Sequence, residues 1–321
     1  MPSKKELAGM RKPGTSFEVK LPASTSNLGP GFDCFGLALK LYLTIRATVR
    51  PESNAKCRVR TIGPVENRAL PRTATNLIYR AMMFAASQEE VQLPSVDLVV
   101  NNQIPLASGL GSSAAAIVGG IKLCSLIAKR SLSKEMVLKY AAEFEGHPDN
   151  VSATLLGGFI VNCIDPGGNV VSIKTKWPDN LKVIVVTPQS QLPTHVARAA
   201  LPRTVNRTDA VSNLQRSAIF VAALSKRRFD VLGEAMRDTL HQPRRQSLVP
   251  GLAEALQIKL SDGLLGVALS GAGPSILALV DRRPEEIGKI ISACFTKHKI
   301  KSTVRVLDAD NEGCKFCKRT K

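Results

Sequence analysis

At 321 residues, 44% of them hydrophobic and 22% charged, the chain has material for two domains with a core each. No apolar run is long enough to span a membrane, and the basic stretch 1–16 leads into no apolar segment, so it reads as a loose tail and not a signal peptide. The formal net charge of +18 attracts anions, but Lys and Arg are spread along the whole chain and aromatics at 4% give no stacking platform, which favours a small anionic ligand over nucleic acid.

Phe17, Val19 and Leu21 alternate with charged residues as a short strand, and a turn-rich loop runs from Pro22 to Asp33. Strict alternation over 39–50 predicts a long strand wet on one face, with 57–62 as its hairpin partner. Thr75 is placed to cap a helix through Ser87, and 96–101 is an apolar strand. Ser133 is placed to cap a helix that Gly146 and Pro148 stop, and a strand is expected over 155–164. Composition changes near Pro166-Gly-Gly168, and the stretch from Leu181 to Thr187 begins what is taken as the second domain. Helices are expected there over 194–200, 209–224, 229–240 and 251–261, with strands over 266–270 and 276–280. A helix from Pro284 and a strand over 303–307 close the fold. The working boundaries are a tail 1–16, domains 17–172 and 173–310, and a basic tail 311–321.

The seven cysteines are odd in number and irregular in spacing, which points to a reducing cytoplasm and not to a disulfide framework. Cys314 and Cys317 form a single C-x-x-C without the further pair or histidines of a zinc site.

The chain is organised around the stretch from Ile104 to Ala116. Gly109 and Gly111 let backbone approach a bulky ligand, and the helix that follows leaves its first N–H groups unpaired at the positive end of its dipole. That is a seat for phosphate. Neither the Lys of a Walker loop nor a G-x-G-x-x-G pattern is present, so a triphosphate here needs a metal and basic groups from elsewhere. Glu143 and Glu145 fall in the last turn of the helix after Ser133, where a carboxylate is disfavoured by about 0.3–1 kcal/mol. A metal ion would remove that conflict; a solvated surface pair is the plainer alternative.

Three separated segments, Pro22 to Asp33, Pro105 to Ser113 and Ser270-Gly-Ala-Gly-Pro-Ser275, resemble the three motifs of the GHMP kinases. Glu145-Gly-His-Pro-Asp-Asn-Val151 and His241-Gln-Pro-Arg-Arg245 narrow the resemblance to the homoserine kinases of that superfamily, over about 17–307. The resemblance implies an α+β, two-domain GHMP kinase fold: an N-terminal domain like the second domain of ribosomal S5 and a ferredoxin-like C-terminal domain, with the site between them. It implies magnesium-dependent transfer of the ATP γ-phosphate to the hydroxyl of L-homoserine.

For ATP it implies the loop Pro105, Leu106, Ala107, Ser108, Gly109, Leu110, Gly111, Ser112 and Ser113, together with Gly271 and Gly273. For the metal it implies Ser113, with Ser112 as the alternative, and Glu145. For homoserine it implies Asn27, Asp33, Asn150, Arg198 and Arg245, with Asn27, Asn150 and Glu145 bearing on catalysis. Those types suit a zwitterionic alcohol: a carboxylate for the ammonium, guanidinium for the carboxylate, and amides to aim the hydroxyl. Gln242 and Arg244 stand where a glutamate and a tyrosine are frequent, which makes the expected acceptor pocket more basic. No general base stands out; Asp149 is the nearest by position and is better suited to ordering the loop around Asn150. Another GHMP kinase, or a nucleic-acid-binding protein on this fold, are the alternatives. Oligomeric state stays open, a homodimer among the options.

Overall fold

The structure is a computed structural model, described over residues 11–63, 70–260 and 263–319. Most of the expected N-terminal tail therefore lies outside the described residues. Strand β1 (Ser16–Asn27) and strand β2 (Gly31–Val49) form a long antiparallel hairpin. The alternation of β2 is as expected: Leu43, Ile45, Ala47 and Val49 are buried while Lys40 and Arg46 are exposed.

Strand β3 (Cys57–Ile62) does not pair with β2, as the hairpin expectation had it. Strand β4 (Val96–Asn102) lies between them, antiparallel to β2 and parallel to β3. The cause is the connection. Helix α1 (Leu77–Gln88) joins β3 to β4, and a helical crossover returns the chain parallel where a tight turn would return it antiparallel. Asn76, one residue after Thr75, caps α1 by accepting from the Ile78 N–H.

Helix α2 (Ser112–Ala128) is buried along most of its length, as its sequence requires. Helix α3 (Lys134–Glu145) starts on the Ser133 hydroxyl and ends on left-handed Gly146. The expected strand over 155–164 is split: helix α4 (Asp149–Leu156) runs first, Gly157 and Gly158 turn the chain with positive φ, and strand β5 (Phe159–Ile164) follows.

The working boundary at 172/173 cuts a strand, and Pro166-Gly-Gly168 is a turn inside the first domain. That turn lies between β5 and strand β6 (Val170–Thr175), which pair as a hairpin beside β2, so the first sheet continues past residue 172. The expected C-terminal tail is also corrected. Strand β11 (Lys315–Arg319) pairs antiparallel with β1, Val19 opposite Phe316. Its basic composition suits a sheet edge, where charge discourages further pairing.

Strands β7 (Lys182–Pro188), β8 (Leu264–Leu269), β9 (Ile276–Val280) and β10 (Ser302–Leu307) form a second, antiparallel sheet in the order β10-β7-β9-β8. Helix α10 (Pro284–Lys297) links β9 to β10, giving the ferredoxin-like arrangement expected. Between β7 and β8 run α5 (Thr194–Ala199), α6 (Arg207–Lys226), α7 (Leu232–Ala235), α8 (Gln242–Arg245) and α9 (Leu252–Leu256). The helix expected over 229–240 is only a 3-10 turn leading into α7, because the Asp238 carboxylate accepts from the backbone N–H groups of Leu240, His241 and Gln242 and turns the chain. The helix expected over 251–261 ends at Leu256.

One face of the second sheet, with Ile184, Val186 and Ala278, packs on Ile287, Ile291 and Phe295 of α10. The other face, with Val183, Val185, Leu277 and Leu279, belongs to the core of the first domain. Phe220 of α6 meets Phe35 of β2 and Phe159 of β5 at ring distances of 5.4 and 5.5 Å, and Trp177 lies 6.1 Å from Phe159. The two domains therefore share a core, and the cleft between them has a rigid floor.

Phe220→Ala should remove about 3–5 kcal/mol of unfolding free energy, as for a large buried aromatic. Because the core is shared, urea unfolding followed by Trp177 fluorescence and by far-UV circular dichroism should give one coincident transition. Two separated transitions would contradict a shared core.

Candidate active site

A cleft of about 390 Å³ opens between the two sheets. One end is apolar, walled by Leu43, Leu70, Pro71, Leu77, Ile78 and Val100. The middle is the glycine loop, with every residue from Pro105 to Ser113 on the wall. The other end is polar and gathers Asn27, Asp33, Glu145, His147, Asn150, Arg198 and Arg245.

The loop owes its shape to contacts on its far side. Gly109 has φ +79°, and a Cβ there would collide with the Ser270 carbonyl oxygen; Gly111 has φ +66°, and a Cβ there would collide with the Ser24 hydroxyl. Ser24 N–H donates to the Leu110 carbonyl at 3.1 Å and the Ser270 hydroxyl donates to the Gly109 carbonyl at 2.7 Å. Helix α2 then starts at Ser112 with no side chain capping it, which leaves its first N–H groups for a ligand. Gly271 lines the cleft, but Gly273 does not. Its N–H turns back to the Ser270 carbonyl, so Gly273 shapes the loop from behind.

Ser113 donates to Glu145 at 2.5 Å, joining the start of α2 to the end of α3. Burial pushes the Glu145 carboxyl above its ordinary value, opposed by the Ser113 hydrogen bond and the His147 charge. Glu143 is exposed and outside the cleft. Two hard oxygens beside a phosphate seat, one a carboxylate without a cationic hydrogen-bond partner among the described residues, fit a magnesium ion.

Past Gly146, the His147 ring and Asp149 meet at 2.6 Å. Burial works against the charge of Asp149, but the His147 hydrogen bond and charge more than offset it and hold this carboxyl below its ordinary value. Asp149 also accepts from the Asn150 N–H at 2.6 Å, so it orders the loop as expected. The Asn150 amide accepts from Ser24 and donates to Ser26, at 2.9 and 3.0 Å. Asn27, with φ +69°, accepts from the Asp33 N–H and donates to the Gly271 carbonyl. Both amides therefore tie loops together as well as facing the cleft.

The arginines differ. Arg198 grips Asp33 with two hydrogen bonds of 2.6 and 3.0 Å, their side chains 35% and 32% exposed. Arg245 is fully buried and, among the described residues, holds no carboxylate: it donates to the Ala197 and Gly271 carbonyls and to His241 Nδ1. An arginine only donates, so His241 is neutral and carries its proton on Nε2, which donates to the Gly29 carbonyl at 2.8 Å. Burial lowers the pKa of His241 and pushes that of Arg245 down to about 10, which leaves Arg245 charged at neutral pH. Phe32 lies against both guanidinium groups, 5.5 Å from Arg198 and 5.6 Å from Arg245.

Arg244 and Gln242 do not make the pocket more basic. Arg244 is exposed outside the cleft, and Gln242 is buried, accepting from the Leu269 N–H at 2.6 Å. Sequence reasoning passed over Phe32, His147 and His241 as site residues, although all three lie inside the motif segments. The i, i+4 spacing of His241 and Arg245 was a usable signal, since it puts both on one face of a helical turn.

The family profile of the GHMP kinases N terminal domain matches residues 76–158, and that of GHMP kinases C terminal matches 220–297. A homoserine kinase of Aquifex aeolicus (strain VF5) is 40% identical over 299 residues, 93% of this chain and 98% of its own length. One of Deinococcus radiodurans is 43% identical over 274 residues, 85% of this chain and 87% of its own. The crystal structure of homoserine kinase from Cytophaga hutchinsonii ATCC 33406 superposes with a TM-score of 0.81 at 27% identity, covering 99% of each chain.

Gly109 and Gly146 allow a paired test of the loop. Both have positive φ, but nothing lies within 4 Å of a Cβ added to Gly146. Gly146→Ala should lose about 1–2 kcal/mol of stability from backbone strain alone. Gly109→Ala should lose more, because the Ser270 loop must also move. Equal losses in chemical denaturation would mean that the two loops do not press on each other.

Proposed function

The chain belongs to the GHMP kinases, and from that membership we propose that it is a homoserine kinase, transferring the ATP γ-phosphate to the hydroxyl of L-homoserine and giving O-phospho-L-homoserine for threonine synthesis. Arg245 carries the reading of the acceptor. A buried guanidinium without a carboxylate partner is unfavourable until an anion reaches it. That need for an anion speaks against a sugar, and Asp33 nearby suits the ammonium of an amino acid, which mevalonate lacks. The Aquifex aeolicus and Deinococcus radiodurans relatives, each matched over more than four fifths of its length, carry that name.

Phosphoryl transfer asks a protein for positioning and charge stabilisation more than for covalent chemistry. The backbone from Ser108 to Ser113 and the start of α2 cradle the phosphates, and the apolar end of the cleft takes the base. Ser113 and Glu145 would hold Mg²⁺, which when bound neutralises phosphate charge. At the acceptor end Arg245 fixes the carboxylate, Asp33 the ammonium, and Asn27 and Asn150 direct the hydroxyl toward the phosphate. Asp149 is engaged by His147 and the Asn150 N–H and serves to hold that loop. The free cysteines, present in both domains, accord with a reducing cytoplasm, and among the described residues no helix is long and apolar enough to cross a membrane.

Homoserine-dependent release of ADP by the purified chain tests the activity. Faster phosphorylation of mevalonate or a sugar would overturn it. Arg245→Ala should raise KM for homoserine and leave that for ATP unchanged, lowering kcat/KM about ten- to a hundredfold, for a charge-assisted contact of about 1.5–3 kcal/mol. Lys should rescue poorly, lacking the planar two-donor fork. Equal effects on both substrates, fading with added salt, would assign Arg245 to a diffuse basic field instead.

Glu145→Gln should cripple turnover without lowering the melting temperature. The raised pKa means that the ionised carboxylate opposes folding at neutral pH, so its removal relieves the fold. Loss of activity together with a large loss of stability would make Glu145 structural.

A further inference from the structure

The Asp33–Arg198 pair sits where a zwitterion's two charges are expected, yet its members hold each other. We propose, on the footing of the homoserine kinase reading, that this pair is an internal stand-in for the acceptor: an α-amino acid opens it and takes both halves, and that exchange excludes alcohols bearing only one charge.

The two arginines are built for different tasks. Arg245 has no freedom, since it is fully buried and held by two carbonyls and His241. Arg198 stands in the last turn of the six-residue helix α5, about a third exposed, and donates both of its hydrogen bonds to Asp33. Asp33 is fixed at its backbone, in the left-handed region at φ +54° with its N–H on Asn27. Arg198 can therefore swing away on its long side chain while the Asp33 backbone keeps its place.

An ion pair with this much exposure is worth no more than about fivefold in an equilibrium constant. Opening it costs little when each half receives a new partner. A zwitterion provides both, with its ammonium on Asp33 and its carboxylate on Arg198 and Arg245, whose guanidinium groups share the Phe32 ring. A hydroxy acid reaches Arg245 but has nothing to offer Asp33, so the pair stays closed and half of the carboxylate's partners are withheld. An amino alcohol must take Asp33 from Arg198 and leaves that cation unpaired beside Arg245.

This gives an unusual expectation: neutralising one member should improve binding of the matching singly charged analogue. Dissociation constants would be measured by NMR titration of the full chain with L-homoserine, γ-hydroxybutyrate, which lacks the amino group, and propanolamine, which lacks the carboxylate. Asp33→Asn, which tolerates the left-handed backbone, should weaken homoserine binding tenfold or more and tighten γ-hydroxybutyrate by about two- to fivefold, by freeing Arg198. Arg198→Met should do the same for propanolamine, by freeing Asp33. Melting temperatures check that both variants fold, and either analogue alone decides the matter if one variant does not. Variants that lose homoserine while gaining nothing for either analogue would show that the pair stays closed in the complex and would overturn the exchange. A wild-type chain that binds no homoserine would instead remove the homoserine kinase reading, and the exchange with it.

Discussion

A buried polar seam joins the end of β1 to the loops of both domains, and the site depends on it. Ser24, Thr25, Ser26, Asn27, Asp149, Asn150 and Ser270 are all buried. Buried polar groups are tolerable only when paired, and these are. Thr25 meets the Ser270 hydroxyl at 2.8 Å, Gly271 N–H donates to the Ser26 carbonyl, and Asn150 bridges Ser24 and Ser26. Three distant stretches of chain thus reach the cleft in one fixed arrangement. The glycine loop is pressed against two of them, which is why its glycines admit no side chain.

Electrostatics completes what packing begins. The polar end of the cleft holds Arg198 and Arg245 with Asp33, Glu145 and the His147–Asp149 pair, and each except Arg245 has a counter-charge or a hydroxyl partner. His241 is kept neutral by burial and holds Arg245 in place without cancelling its charge. The result is a site whose backbone is organised before any ligand arrives, with one cation awaiting an anion and one ion pair closed on itself. Left-handed backbone at Asn27, Leu28 and Asp33 belongs to the same design, strain being held at the turn that carries the acceptor groups.

Local patterns made much of this legible in the sequence. The alternation of β2, the Ser133 cap and Gly146 stop of α3, and the uniformly apolar α2 each follow from nearest neighbours along the chain. The five ordered motif segments located the cleft. What local reasoning could not supply was partnership across distance. Cys57 to Ile62 carries no mark that β4 will insert beside it, and the basic run 315–319 gives no sign that β1 offers it an edge. The composition change at Pro166-Gly-Gly168 belongs to a hairpin turn, and composition alone does not tell such a turn from a boundary between domains. Arg198 and Arg245 were found together, but their unequal burial and the Asp33 pairing are properties of the folded cleft. Phe32 and His241 went unnoticed because their roles exist only through those arginines.

The seam is open to a direct measurement: native-state exchange of the Ser24 and Gly271 amide hydrogens, which donate to Leu110 and Ser26 across it. If the seam is part of the shared core, both amides should exchange only through global unfolding, with the same free energy as Ile45 in the middle of β2 and without any ligand present. Exchange of either amide through a local opening of much lower free energy would contradict it, and the site would then have to be assembled by its substrates.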